Sequence, residues 1–375
     1  MTDAVGDAST RTFEVPDPAD TTGSTLLSYR IRSLAAGGRG GPDPADLKRW
    51  ADFCAECFAY KPNPPSAEYF ERHFRNDPDG DIAMTRIVEH VGEGGGWEIS
   101  SSMRVFRRRL STGGGDGETI SAGGIGEVCT STSHRRRSLS RTLMADAIDI
   151  MRRRGMELSL LHASPALRGV YERGGNYSAV TSPWSVVGVR SDGPSNSFED
   201  GDDDESGWTI RCARFPEDAP ALAALHRRYS ESRFVCVART ERYWSEYLSK
   251  ELGETLQVLM APGDDEIVAW KSLRDRGGRF QLREFGVDTE RCSAGRALRL
   301  LLRKEREEIG AFDLHLPTPV LEELDPEADH FIDWERGGIA DDDGGWMYRP
   351  IGEGGFDMVA HLKKAKHLIW PADSF

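Results

Sequence analysis

No run in the 375-residue chain approaches the ~18 apolar residues that a membrane-spanning helix needs. Residues 1–24 are polar and acidic with no apolar core, which excludes a secretory signal there and reads as a disordered leader. Lysine is scarce, at 8 of the 48 basic residues, the other 40 being arginine. Positive charge is in deficit as well. Against 62 acidic residues the chain carries −14, which argues against nucleic acid as the main partner and would attract cations. Cysteine is thin: Cys54, Cys57, Cys129, Cys212, Cys236 and Cys292 are too scattered for a disulfide framework, and reduced thiols suit a cytoplasmic setting. The single CxxC, Cys54 to Cys57, lies on the apolar face of an expected helix. No second CxxC or histidine pair completes a zinc site, so no metal is expected. With 38% apolar residues and a mean hydropathy of −0.52, part of the chain is expected to stay unpacked.

What the chain does hold is length enough for two domains and an element order that runs twice. Residues 25–190 read as one unit. Its helices are expected at Asp46–Phe58, Ser66–Phe74, Arg137–Arg154 and Pro165–Arg173, and its strands at Leu26–Ile31, Ile82–His90, Trp97–Leu110, Thr119–Thr130, Leu158–Ala163, Tyr177–Thr181 and Trp184–Val189. Residues 191–206, with Glu199 to Glu205 almost wholly acidic, read as a solvated linker. Residues 207–350 repeat the order more faintly, ending in a strand at Trp346–Pro350. The fold class is α/β, a mixed sheet covered by helices, in two copies. Residues 351–375 add a short helix and an apolar tail in which Leu368, Ile369, Trp370 and Phe375 are poor residues to leave in water, so the tail is expected to dock.

Chemistry concentrates between Gly124 and Met144. A strand ends near Thr130, a polar turn carries Arg135, Arg136 and Arg137, and a helix opens at the small residues Ser138 and Ser140. Free N–H groups and the dipole at a helix N-terminus favour an anion, and a pyrophosphate-bearing cofactor is the physical implication.

Arg135-x-x-Ser138-x-Ser140 resembles the R/Q-x-x-G-x-G/A acetyl-CoA signature of the GNAT N-acetyltransferase superfamily, with serines at the glycine positions. Ile125-Gly-Glu-Val-Cys-Thr130, Leu158-Ser-Leu-Leu-His-Ala-Ser164 and Val170-Tyr-Glu-Arg-Gly-Gly-Asn-Tyr177 resemble the Eis-like (enhanced intracellular survival) branch, which carries two fused GNAT domains. The matching turn of the second copy, Asp288 to Ala294, is acidic and lacks the signature. The resemblance implies acetyl-CoA as acyl donor. It places Val128, Cys129 and Thr130 along the pantetheine arm and Arg136, Arg137, Ser138, Leu139, Ser140 and Arg141 in the pyrophosphate loop. Ser164 falls beside the thioester, Tyr171 is the general acid, and the C-terminal carboxylate of Phe375 is the general base. Glu127 and Asp373 are further carboxylate candidates, and His162 reads as a satisfied core residue. The implied acceptor is a primary amine on an aminoglycoside, a lysine or a polyamine-like cation, with homo-oligomerisation left open. The contrasting reading is a degenerate, non-catalytic GNAT pair that serves as a ligand-binding or interaction module, motivated by Ser138 and Ser140.

Overall fold

The computed structural model describes residues 10–18, 22, 24–37, 41–191, 207–263, 266–334, 339–342, 345–352 and 356–373. The expected linker, apart from Ser191, lies outside the described residues, and so do Ser374 and Phe375.

The first sheet is laid down by β1 (Arg11–Pro16), β2 (Leu26–Ser33), β3 (Thr85–Val91), β4 (Trp97–Thr112), β5 (Thr119–Thr130), β6 (Leu158–His162) and β7 (Ser178–Ala179). Between β2 and β3 lie α1 (Pro44–Phe58) and α2 (Ala67–Asn76). Asp43 caps α1 through the Asp46 N–H with Pro44 in the first turn, and Ser66 caps α2 through the Tyr69 N–H. Between β5 and β6 lies α3 (Leu139–Arg153), and between β6 and β7 lies α4 (Arg168–Gly175). Gly123 lets α3 approach β5 closely, since a Cβ there would collide with Met151.

The second sheet is built from β8 (Pro183–Val189), β9 (Thr209–Cys212), β11 (Leu256–Met260), β12 (Ile267–Asp275), β13 (Arg279–Val287), β14 (Phe312–Pro317), β15 (Ile332–Asp333) and β16 (Ile339–Asp342). Its helices are α5 (Ala219–Ser230), α6 (Ser249–Leu252), α7 (Ala294–Leu301), α8 (Arg303–Ile309) and α9 (Thr318–Leu321), with a π-helical segment at Tyr243–Leu248 entering α6. Three later strands return to the first sheet: β10 (Arg233–Val237), β17 (Trp346–Pro350) and, after α10 (Met358–Leu362), β18 (Lys366–His367).

Three findings depart from the sequence reading. The leader contains a strand at Arg11–Pro16, because Phe13 and Val15 alternate along it and it pairs antiparallel with β2 (Phe13 opposite Tyr29). Trp184–Val189 does not close the first unit. It crosses into the second sheet and pairs with β14, Val187 opposite Leu314. In exchange, Trp346–Pro350 leaves the second unit and lies between β6 and β7, Met347 opposite Leu161. Each half therefore completes the other's sheet.

The cores follow this exchange. One cluster joins Leu158 and Leu160 of β6 to Val187, Leu314, Trp244 and the tail residues Leu368, Ile369 and Trp370. A second packs α3 on the sheet, and a third packs α1 and α2 on the opposite side, around Trp50, Phe70 and Cys129. The tail packs down as far as Asp373, with β18 parallel to β10. Burying Leu368 and Ile369 is worth about 1.5–3 kcal/mol each.

Candidate active site

β5 and β6 run in parallel only from Ala122↔Leu158 to Ile125↔Leu161. β5 then continues to Thr130, while the N–H of Ala163, just past β6, turns to the carbonyl of Gly345 (2.9 Å). The β6-facing edge of β5 around Val128, Cys129 and Thr130 is left without a strand partner among the described residues. A bulge sharpens this split. Glu127 and Val128 together oppose Met103, and Glu127 sits at φ 51, in the left-handed region.

The Arg135–Arg137 turn lies between this open edge and the start of α3. Arg136 (φ 63) and Ser138 (φ 58) both take left-handed backbone, and no side chain caps the helix, so its first N–H groups face outward uncapped. Ser138 stands where the signature has glycine, and a Cβ at this φ costs about 1–2 kcal/mol. Ser138→Gly is therefore expected to raise stability by about 1 kcal/mol, read as a higher urea midpoint. An unchanged or lower midpoint would mean that the serine side chain offsets its backbone strain.

The arginines divide. Arg136 and Arg141 are exposed, and the Arg141 guanidinium reaches the Arg173 carbonyl (3.5 Å), holding α4 against the first turn of α3. Arg137 turns inward, contrary to its expected place on the phosphates. It donates to the Tyr29 hydroxyl (2.9 Å) and to Nδ1 of His134 (2.8 Å), and pairs with Asp17 (3.5 Å). Burial first, then His90 and Arg137, push the His134 imidazole down to about 4, so the ring is neutral and Nδ1 accepts. Only the backbone of Arg137 remains for an anion.

Tyr171 lies on α4, half-buried, with its ring edge-on to Tyr177 (6.4 Å between centroids). Its hydroxyl has no hydrogen-bond partner among the described residues, and burial pushes the phenol above its ordinary value. Tyr177 is spoken for, fully buried and bonded to Ser159 (2.7 Å). Ser164 is exposed, immediately past β6. Leu139 is buried against the α3 core, and Ser140 is half-buried in the first turn of α3. His162 is exposed, edge-on to Trp346 (5.1 Å), and not a core residue. Of the CxxC thiols, Cys54 is buried and Cys57 half-buried; both contact Cys129, and burial raises the Cys54 and Cys129 thiols. No group of His, Cys, Asp and Glu among the described residues is arranged to hold a metal, and no described helix is long and apolar enough to cross a membrane.

Residues 42–179 match the family model described as "Acetyltransferase (GNAT) domain". This stretch is similar to a GNAT acetyltransferase domain. The match stops four residues before β8, the strand that leaves the GNAT sheet. Three solved structures share the fold over most of the chain. A GCN5-related N-acetyltransferase from Anabaena variabilis is 13% identical, with 90% of this chain and 75% of that chain covered and a TM-score of 0.59. One from Kribbella flavida is 17% identical, covering 86% and 71% at 0.57. Eis1 from Mycobacterium abscessus is 15% identical, covering 86% and 73% at 0.55. No curated protein matches the chain in sequence. Because each structural likeness covers more than four-fifths of the chain, it takes in the second half as well as the GNAT-like domain.

Sequence reasoning missed β10 and two residues packed beside Glu127. His73 of α2 touches Glu127, and Tyr247 of the π-helical segment touches His73. The tail's Asp373 is pinned by Arg239 (2.6 Å) and by the Tyr243 hydroxyl (3.0 Å), while Arg239 also makes a two-point pair with Glu284 (2.6 and 2.9 Å). Polar residues on segments this far apart carry no local pattern that would announce them.

Proposed function

We propose that the chain is an acyl-CoA-dependent N-acyltransferase that moves an acetyl group from acetyl-CoA to a primary amine of a cationic acceptor, an aminoglycoside, lysine or polyamine-like molecule. The observation that carries this reading is the open edge of β5 beside the uncapped N-terminus of α3 and the exposed Arg136, inside a GNAT-like domain. The strand edge suits the amide-rich arm and the helix terminus suits the pyrophosphate. Acyl-CoA supplies the reactive thioester.

Tyr171 supplies the acid, its free hydroxyl donating to the departing sulfur. The base is a carboxylate. We assign it to the C-terminus of Phe375, which follows Asp373 by two residues, with Glu127 at the bulge as the second carboxylate of the site. The reading of a non-catalytic module draws on Ser138, whose strained φ narrows the phosphate loop's backbone options.

Calorimetry with acetyl-CoA, followed by a thiol-release screen over cationic amines, separates the two. Micromolar binding with turnover is expected, and Arg136→Ala should weaken binding several-fold as a charge-assisted contact is lost. A Kd weaker than about 1 mM, near −4 kcal/mol, would overturn cofactor binding. Tight binding with no turnover on any amine would favour the module.

A further inference from the structure

Six arginines are buried among the described residues: Arg86, Arg104, Arg108, Arg233, Arg239 and Arg283. Five of them pair with a carboxylate, on Asp146, Asp77, Asp77, Glu323 and Glu284 in that order. Arg283 has no such partner among the described residues. Its Nη2 donates to the Glu251 carbonyl (3.1 Å), its Nε is buried without a hydrogen bond, and the residue is only 7% exposed. An unpaired guanidinium in that setting is costly unless an anion meets it.

The strand pairing puts it there. The β12–β13 register slips between Ser272↔Glu284 and Leu273↔Leu282, which leaves Arg283 as the extra residue of a bulge. Further along the hairpin, Arg274 lies opposite Gln281, and the Arg276 guanidinium donates twice to the Gln281 side chain (3.1 and 3.3 Å). Arg274 has no hydrogen bond or ion pair among the described residues. Arg274 and Arg276 are both exposed, so the cluster opens to solvent. Burial first, then Arg274, holds the Arg283 guanidinium below its ordinary value, and burial followed by Arg276 does the same to Arg274. Both groups stay charged regardless.

The neighbouring carboxylates do not answer this excess. Glu284 is committed to Arg239, and Asp275 accepts from the Gly278 N–H of its own turn (2.9 Å). Glu251 lies within electrostatic reach of Arg274 and Arg283 but pairs with neither. Three cations therefore gather around a single carboxylate that is not engaged elsewhere. From the first half, Tyr69 of α2 lies within reach of Arg274 and Glu251, and its hydroxyl makes no hydrogen bond among the described residues. Burial pushes this phenol up to about 12, so it stays a donor. Arg72 packs over the same ring (5.7 Å). Tyr69 also stacks on His73 (5.3 Å between centroids), which touches Glu127, so two side chains stand between the cluster and the bulge of β5.

We propose that Arg283, Arg274 and Arg276 form an oxyanion site, set where the second half meets α2 of the first, that takes a carboxylate or phosphate group. The planar fork of arginine suits either group, and the Tyr69 hydroxyl adds a donor. The site stands on these residues and does not depend on the acyltransferase reading. Its occupant is a free anion or the acid group of an acceptor. Of the acceptor classes above, lysine is the one that brings a carboxylate.

The test is calorimetric titration of the full chain with inorganic phosphate and, separately, with succinate. It is run in the Arg136→Ala background, which weakens phosphate binding at the α3 turn. A Kd of about 1 mM or tighter is expected for at least one of the two anions. Arg274→Ala and Arg283→Met should each weaken that binding about tenfold, the size of a lost hydrogen bond between charged groups. Without anion, Arg283→Met should hold or raise the urea midpoint, because it removes an unpaired buried cation. Where Arg283→Met does not fold, Arg274→Ala, on the surface, carries the test. No binding of either anion, or binding that the substitutions leave intact, overturns the proposal. A second arm, which rests on the acyltransferase reading, identifies the source of the anion. Where the acceptor brings it, lysine should exceed cadaverine, its analogue without the carboxylate, about tenfold in kcat/KM, and Arg274→Ala should erase the difference. Equal rates for the two amines, with anion binding intact, identify a free anion as the occupant. A chain that binds phosphate or succinate here but acylates no amine keeps this site and loses the acyltransferase reading.

Discussion

Tyr171→Phe is expected to lower turnover by about 10²–10⁴-fold, the range a positioned acid contributes, with acetyl-CoA affinity unchanged. The size follows from what the substitution removes. The departing thiolate loses its only proposed donor, since Tyr177, the other phenol nearby, is committed to Ser159. The fold should barely register the change, because the Tyr171 hydroxyl makes no hydrogen bond among the described residues and the ring keeps its packing. The pH dependence has a fixed sign. Burial raises the phenol above its ordinary value of about 10, so the donating form persists through the whole neutral and mildly alkaline range. Any loss of rate below that value then belongs to another group. Paired measurements of kcat and of acetyl-CoA binding decide the matter, and full turnover in Tyr171→Phe would reduce this residue to a packing role.

The largest effect on stability is expected at Arg239. Its guanidinium, Glu284 and Asp373 are 0%, 0% and 1% exposed, with one cation serving two carboxylates. Arg239→Ala leaves both carboxyl groups buried without their cation, which costs about 3–5 kcal/mol, a large share of the 5–15 kcal/mol that holds a typical protein. The tail should come away with it, and amide exchange across residues 366–373 should rise. Protection unchanged from wild type would show that Leu368, Ile369 and Trp370 hold the tail unaided. The same cluster responds to pH. Burial, reinforced by Asp373, pushes the Glu284 carboxyl up to about 7 from its ordinary value of 4.5. The folded state thus keeps a proton there that the unfolded chain has released. That contribution to stability is full below about 4.5 and is lost as pH rises through 7. Buried histidines oppose it at lower pH, so the comparison belongs near and above 6.5. There wild type should lose more stability with rising pH than Glu284→Gln.

How much of this could be read from residues alone divides by distance along the chain. Element order and the α3 turn were legible because periodicity and caps act over a few residues, as with Ser66 and Asp43. So was the docking of Leu368 to Trp370, because an apolar cluster has few alternatives to burial. The strand at Arg11–Pro16 was missed although Phe13 and Val15 alternate with polar neighbours, since the acidic composition around them outweighed a short pattern. Trp184–Val189 was correctly read as a strand but given the wrong sheet, because strand propensity says nothing about which edge a strand will find. The inward turn of Arg137 needed Asp17 and Tyr29, and the setting of Glu127 needed Tyr247. Those partners are fixed only once both sheets exist.

The exchange of β8 for β17 ties the fates of the two halves together. Removing either half by deletion would strip an interior strand from the survivor and expose hydrogen-bonding edges that invite aggregation. Recombination with a related single-unit gene would do the same. A second half without the cofactor signature is therefore held in place as obligate scaffolding for the first, shielded from loss by topology.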